Sequence, residues 1–294
     1  MKKIRVLITG ANGQLGSALT EYCALNEQIE TVLLSRKDLD LAVPEQIPAV
    51  LQHHQPDYLI NCAAYTAVDK AEDDIDTAMQ VNGFSVGLLA RECYKLNCRF
   101  IHISTDYVFD GLSAEPYNVD DQPRPVNAYG ASKLLGEVHA VRENPDTVIV
   151  RTAWVYAEYG QNFVRTMIRL LGSKEQISVV SDQTGTPTYA ADLAAALVHM
   201  VSSGKWVPGI YHYSNSGKTN WYEFAEAIKG QIGSACRIIP ITTAEYPTRA
   251  KRPAYSLLNT DKIVAVYNVT VPDWKSSLKR CLAKLNAADR SIPS

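Results

Sequence analysis

The chain has 294 residues, 46% hydrophobic and 20% charged, with a net charge of -2 and a pI near 6.3. That composition suits a soluble globular protein with one large core or two unequal lobes, and it offers no basic footprint for nucleic acid or anionic membranes. No apolar run approaches the roughly 20 residues of a membrane span, the run after Lys3 is too short for a secretory leader, and six cysteines lack C-x-x-C or zinc-type spacing.

The first predicted element is an apolar strand over residues 3–9, which runs directly into Gly10, Gly13 and Gly16. A short apolar run of this kind reads as a buried parallel strand. Glycine at every third position, with a helix following, lets backbone N–H groups approach a pyrophosphate at the helix start. The spacing is G-x-x-G-x-x-G rather than the commoner G-x-G-x-x-G. Residues 31–34 form a second strand, 49–54 a helix, and 58–63 a third strand ending in small residues. Residues 71–97 read as one helix, 99–104 as a strand, 129–142 as a helix and 147–151 as another strand. This βαβ rhythm predicts an α/β fold with a doubly wound, Rossmann-like parallel sheet and ligands beyond the carboxyl ends of its strands.

After residue 152 the rhythm loosens. Helices are expected at 162–171, 191–201 and 221–229, with a strand at 210–213 returning to the sheet. Residues 1–152 are therefore read as a dinucleotide-binding domain. Residues 153–294 are read as mainly a smaller, partly interleaved substrate domain, with a frayed tail from 287.

Tyr129 and Lys133 stand four residues apart, on one helix face. A free phenol titrates near ~10, and a neighbouring ammonium favours the phenolate; the same pair on a surface helix would be merely solvated. Ser104 and Thr105 end an apolar strand, where a hydroxyl either donates to a substrate carbonyl or satisfies local backbone groups. Tyr129 favours the first alternative.

These features resemble the extended short-chain dehydrogenase/reductase family. Residues 61–72, 104–109, 151–156, 161–163, 182–188 and 252–253 narrow the resemblance to its dTDP-4-dehydrorhamnose reductase branch, across essentially the whole chain. The resemblance implies reduction of the C4 ketone of dTDP-4-dehydro-β-L-rhamnose, giving dTDP-L-rhamnose for surface polysaccharide. It makes Tyr129 the general acid, Lys133 its supporting cation and ribose ligand, and Thr105 the group that polarises the ketone. Gly10, Gly13, Gln14, Leu15 and Gly16 would line the pyrophosphate, Ser35 and Arg36 the adenosine ribose, and Asp40 and Leu41 the adenine. Ala64, Tyr65, Thr66 and Ile103 would meet the middle of the cofactor. Thr105, Asp106, Trp154 and Arg252 would meet the dTDP-sugar, although Arg252 reads equally as part of a solvated basic loop.

The second strand ends at Ser35, Arg36 and Lys37 with no carboxylate to repel a 2′-phosphate, so NADPH is expected, with NADH also accepted. No residue is expected to hold a metal. Some relatives pair through a metal on acidic side chains; the corresponding Ala18 and Ala191 have no ligand atom, so a monomer or a differently built homodimer is expected. A cytoplasmic location follows from the same reading. A 4,6-dehydratase would need a second carboxylic acid after Asp106, where the chain has Tyr107. A 4-epimerase stays open on residues alone, and a non-catalytic binding subunit is disfavoured by the intact Thr105, Tyr129 and Lys133.

Overall fold

A computed structural model describes residues 2–290. Five strands follow the predicted order: β1 (Ile4–Thr9), β2 (Ile29–Leu34), β3 (Tyr58–Asn61), β4 (Arg99–Thr105) and β5 (Val148–Thr152). Together with Gly209–His212 they form one sheet in the order β2, β1, β3, β4, β5, Gly209–His212. Every pairing in it is parallel. The strands are Val-, Ile- and Leu-rich because helices cover both faces. Val6, Ile8, Ile60, Ile101 and Val150 pack with Leu19, Leu193 and Leu197 on one side. Leu7, Leu59 and Phe100 pack with Leu51, Leu89 and Ala140 on the other. Helices Gln14–Ala24 and Ala190–Ser202 cover the first face, and Ile47–His54, Ser85–Lys95 and Ala128–Glu143 the second.

Strand order reverses between β1 and β3, which opens a crevice beyond their carboxyl ends. The late strand expected at 210–213 is there, paired with β5 from Gly209↔Val148 to His212↔Arg151. A separate apolar cluster is built from Val164, Met167, Phe224, Ile228, Trp274 and Leu278. Beside it lies a parallel strand pair, Gln176–Val180 with Arg237–Ile241, that sequence patterning missed.

The helix expected over 71–97 is not continuous. It divides into Val68–Ala71, Ile75–Met79, a π-helical turn Gln80–Phe84, and Ser85–Lys95. The interruption follows from close packing. A Cβ on Gly136 would lie 2.0 Å from the Asn82 carbonyl oxygen, so the Ala128–Glu143 helix presses directly on the π turn. Such single-turn π bulges redirect a side chain, and here the side chain is Asn82. At the carboxyl end, helix Trp274–Arg290 includes the start of the tail expected to fray; residues 291–294 lie outside those described.

Candidate active site

The glycine turn forms a cradle at the switch point. Gly10 has φ +64°, and a Cβ there would lie 2.7 Å from the Ala63 amide nitrogen at the end of β3. A Cβ on Gly16 would meet the Gly10 carbonyl at 2.3 Å. The helix Gln14–Ala24 begins at Gly13 with no side-chain cap and no acidic residue in its first turn. Free N–H groups and the positive end of the helix dipole therefore face the crevice, which suits a pyrophosphate. Gln14 Oε1 is buried without a partner. The residues present fit a dinucleotide.

A cleft of about 430 Å³ continues past the cradle, lined by Ala11, Asn12, Ser17, Leu33, Ser35 and Asp38 among others. At the end of β2 the structure adds a carboxylate that the strand-end pattern did not include. Arg36 is exposed and gives its Nε to Asp40 at 3.0 Å, whereas Asp38 turns into the cleft. Asp38 Oδ2 accepts from the Ser35 amide at 2.8 Å and its hydroxyl at 2.6 Å, which holds the Asp38 carboxyl below the usual range. Asp40 also caps the Ala42 amide at 2.9 Å. Leu41 is buried, its carbonyl accepting from the Ser85 hydroxyl at 2.5 Å.

The segment after β3 is tied to the Ala128–Glu143 helix through Asn82. Its Oδ1 accepts from the Tyr65 amide at 2.8 Å, and its Nδ2 donates to the Tyr65 carbonyl at 3.0 Å and to Ser132 Oγ at 2.9 Å. Ala64, Tyr65 and Thr66 are thus held beside the helix that carries Tyr129 and Lys133. That helix starts at Asn127, whose Oδ1 caps the Gly130 amide at 2.8 Å.

Thr105 ends β4, with its hydroxyl donating to Asp106 Oδ1 at 3.0 Å. Thr105 also lies close enough to the Tyr129 phenol to act on its titration. Burial pushes the phenol up to about 12, with Thr105 opposing the rise and Asp106 adding to it. Tyr107 packs edge-on against the Tyr129 ring, centroids 5.6 Å apart. Lys133 is buried and donates from Nζ to the Ile103 carbonyl at 2.7 Å, with His102 Nε2 at 3.3 Å. Its contacts lie along β4 rather than on the phenol itself. Burial brings Lys133 down to about 8, with Glu137 and then Cys62 opposing that.

Asp106 is buried beside Thr105, and its Oδ2 has no partner. Burial pushes its carboxyl up to about 6. An orphaned buried acceptor at the mouth of a crevice suits a donor such as a sugar hydroxyl. Trp154 has φ +48° and stacks on Trp221 at 3.6 Å and 12°. On the other side, a Cβ on Gly185 would lie 2.6 Å from its ring. Trp221, which sequence reading passed over, is thus half of the aromatic wall. Arg252 forms a two-pronged pair with Asp69, at 3.1 and 2.8 Å, so its guanidinium is engaged inside the protein.

Two further groups carried no signal in the sequence. Glu137, one turn beyond Lys133, accepts from Arg151 at 2.9 and 2.7 Å and from Ser104 at 2.5 Å. His102 and Asn61 form a buried polar row beneath Lys133. Ala18 and Ala191 are both buried. Among the described residues, no group of three or more His, Cys, Asp or Glu side chains could hold a metal ion, and no helix is long and apolar enough to cross a membrane.

Comparison with known proteins agrees with this geometry. The family model described as RmlD substrate binding domain matches residues 4–287. The dTDP-4-dehydrorhamnose reductase of Burkholderia thailandensis is 40% identical, covering 96% of this chain and 99% of the relative. The spore coat polysaccharide biosynthesis protein SpsK of Bacillus subtilis is also 40% identical, covering 97% of this chain and 99% of its own. A crystal structure of dTDP-4-dehydrorhamnose reductase from Bacillus anthracis in complex with NADP superposes with a TM-score of 0.92 at 39% identity, covering 97% of this chain and all of that one. Matches of this length and identity make the chain a member of the dTDP-4-dehydrorhamnose reductase family.

Proposed function

We propose that this protein reduces the C4 ketone of dTDP-4-dehydro-β-L-rhamnose to the alcohol of dTDP-L-rhamnose, with NADPH as reductant and NADH also accepted. The observation that carries the reading is Thr105, at the carboxyl end of β4, acting on the Tyr129 phenol, with Lys133 one turn along the same helix and bonded to the β4 carbonyl of Ile103, at the end of the sheet that also bears the glycine cradle. The cofactor, when bound, supplies the hydride that adds to C4. Gly10, Gly13, Gln14, Leu15 and Gly16 would hold its pyrophosphate and Ser35 would face its ribose; the exposed Arg36 would meet the 2′-phosphate of NADPH, and Asp38 would accept from the free ribose hydroxyls of NADH.

This chain's residues manage the oxygen and its proton. Thr105 turns its hydroxyl from Asp106 to donate a hydrogen bond to the ketone oxygen. Tyr129, neutral through the physiological range because burial raises it, breaks its O–H bond and gives the proton to the forming alkoxide. A phenolate is left, and the Lys133 ammonium one turn away offsets its cost. Asp106, Trp154 and Trp221 would line the sugar-nucleotide side, and Arg252 would act by holding Asp69 and the rim rather than by gripping phosphate. The lobe after residue 152 would supply the substrate-binding surface. A cytoplasmic enzyme, monomeric or paired without a bridging metal, completes the reading.

The test is incubation with dTDP-4-dehydrorhamnose and NADPH, following loss of reduced-nicotinamide absorbance and identifying the sugar. Stoichiometric oxidation with dTDP-L-rhamnose as product is expected. Interconversion of sugars without net oxidation would mean a 4-epimerase instead.

A further inference from the structure

Two neighbouring strands end in polar side chains and the next carries one midway along it, all aligned across the sheet, Thr9 opposite Asn61 and Asn61 opposite His102. Asn61 and His102 are fully buried and Thr9 is 1% exposed. Polar groups at this depth need partners, and these find one another. Thr9 Oγ1 lies 2.6 Å from Asn61 Oδ1, and Asn61 Nδ2 lies 3.1 Å from His102 Nδ1. His102 Nε2 lies 3.3 Å from Lys133 Nζ, so the row ends on the lysine that supports Tyr129.

Counting protons leaves two ways to satisfy this row. Burial, then the Lys133 charge, hold His102 far below the usual imidazole range, so its ring is neutral with a single N–H. A charged lysine has only donors. It must then donate to Nε2, which leaves the proton on Nδ1, facing Asn61 turned to present its carbonyl. A neutral Lys133 has a lone pair and permits the reverse order. Thr9 then donates to Asn61 Oδ1, the Asn61 amide to Nδ1, and Nε2–H to the lysine nitrogen. The two orders differ by one proton on Lys133, one tautomer of His102 and one flip of the Asn61 amide.

We infer that His102, held by Asn61, is a positioning residue whose tautomer is coupled to the charge on Lys133, so that this buried row sets the pH at which the lysine loses its proton. The other groups acting on Lys133 are Glu137 on its own helix, the Ile103 carbonyl of β4, and Cys62 just after β3, with Tyr129 one turn earlier on the same helix. Glu137 is already paired with Arg151 from β5. Losing the Nε2 acceptor leaves the ammonium with the Ile103 carbonyl, which favours deprotonation.

The role in turnover rests on the reductase reading, but the coupling can be measured without substrate. In the intact protein, ¹⁵N NMR of the His102 ring and of Lys133 Nζ is followed from neutral to alkaline pH. A neutral ring is expected throughout, passing from Nδ1–H to Nε2–H with the same midpoint as Lys133, near 8. A ring that keeps one tautomer while Lys133 titrates, or that becomes charged, overturns the proposal. In kinetics, the alkaline limb of kcat/KM should move about one pH unit lower in His102→Leu and return in His102→Gln, whose amide can accept from the lysine. A limb that stays put in folded His102→Leu also overturns it. If that variant does not fold, the wild-type titration decides alone. A coupled titration in a protein that does not reduce the ketone would sink the reductase reading and leave the coupling standing.

Discussion

Ion pairs lie on both sides of the Ala128–Glu143 helix, and they differ in how much water they see. Beneath it, Glu137 and Arg151 have side chains 3% and 2% exposed and share two short hydrogen bonds. On the rim, Asp69 and Arg252 are 44% and 23% exposed, and Asp73 and Arg249 are both 64% exposed. The chemistry is the same carboxylate and guanidinium. In the interior neither charge can return to water if its partner is lost, so the pair is costly to break. At the rim, water and salt substitute for the partner. The comparison teaches that the helix bearing Tyr129 and Lys133 is held from below by groups that cannot be spared, while the rim tolerates change.

Substitutions can sharpen or break that contrast. The largest effect is expected inside the site, from Tyr129→Phe. Ketone reduction should fall by roughly 10²–10⁴-fold, the usual worth of a general acid, while NADPH binding by fluorescence titration stays near normal. Turnover at the wild-type rate would remove Tyr129 from the mechanism. Next comes Glu137→Gln, which leaves Arg151 and its contacts with the Phe109 ring and His212 carrying an unpaired buried charge. Urea unfolding should show a loss of about 3–5 kcal/mol. A loss no larger than at the rim would erase the distinction drawn above. The smallest effects belong to the rim pairs. Arg252→Ala should cost about 1 kcal/mol with a modest rise in substrate KM, and Arg249→Ala less than about 0.5 kcal/mol with none. A collapse of kcat in Arg252→Ala would instead return that residue to the substrate.

Much of this site could be read along the chain because its signals are local. Glycine at every third position after an apolar strand is a statement about one turn, and the fold agrees with it at Gly10 and Gly16. Tyr129 and Lys133 share a helix face by spacing alone, and the helix Ala128–Glu143 contains both. Residues 71–97 were harder, because nothing local marks a π turn whose cause is Gly136 pressing on Asn82 from another helix. The end of β2 was only partly legible for a similar reason. Arg36 and Asp38 are two residues apart, and only the turn at Ser35 decides which of them faces the cleft.

The sequence by itself determined the alternation of strands and helices through the first half, the glycine turn and the phenol–amine spacing, since each depends on residues within a few positions of one another. Only the tertiary structure decided what stands under Lys133. Thr9, Asn61 and His102 come from three strands far apart in the chain, and they meet because strand order and register place them side by side. Register has a period of two and no memory of sequence distance, so such a row leaves no motif. Depth in the sheet then removes water from these groups, and it is that loss of solvent which makes them depend on one another.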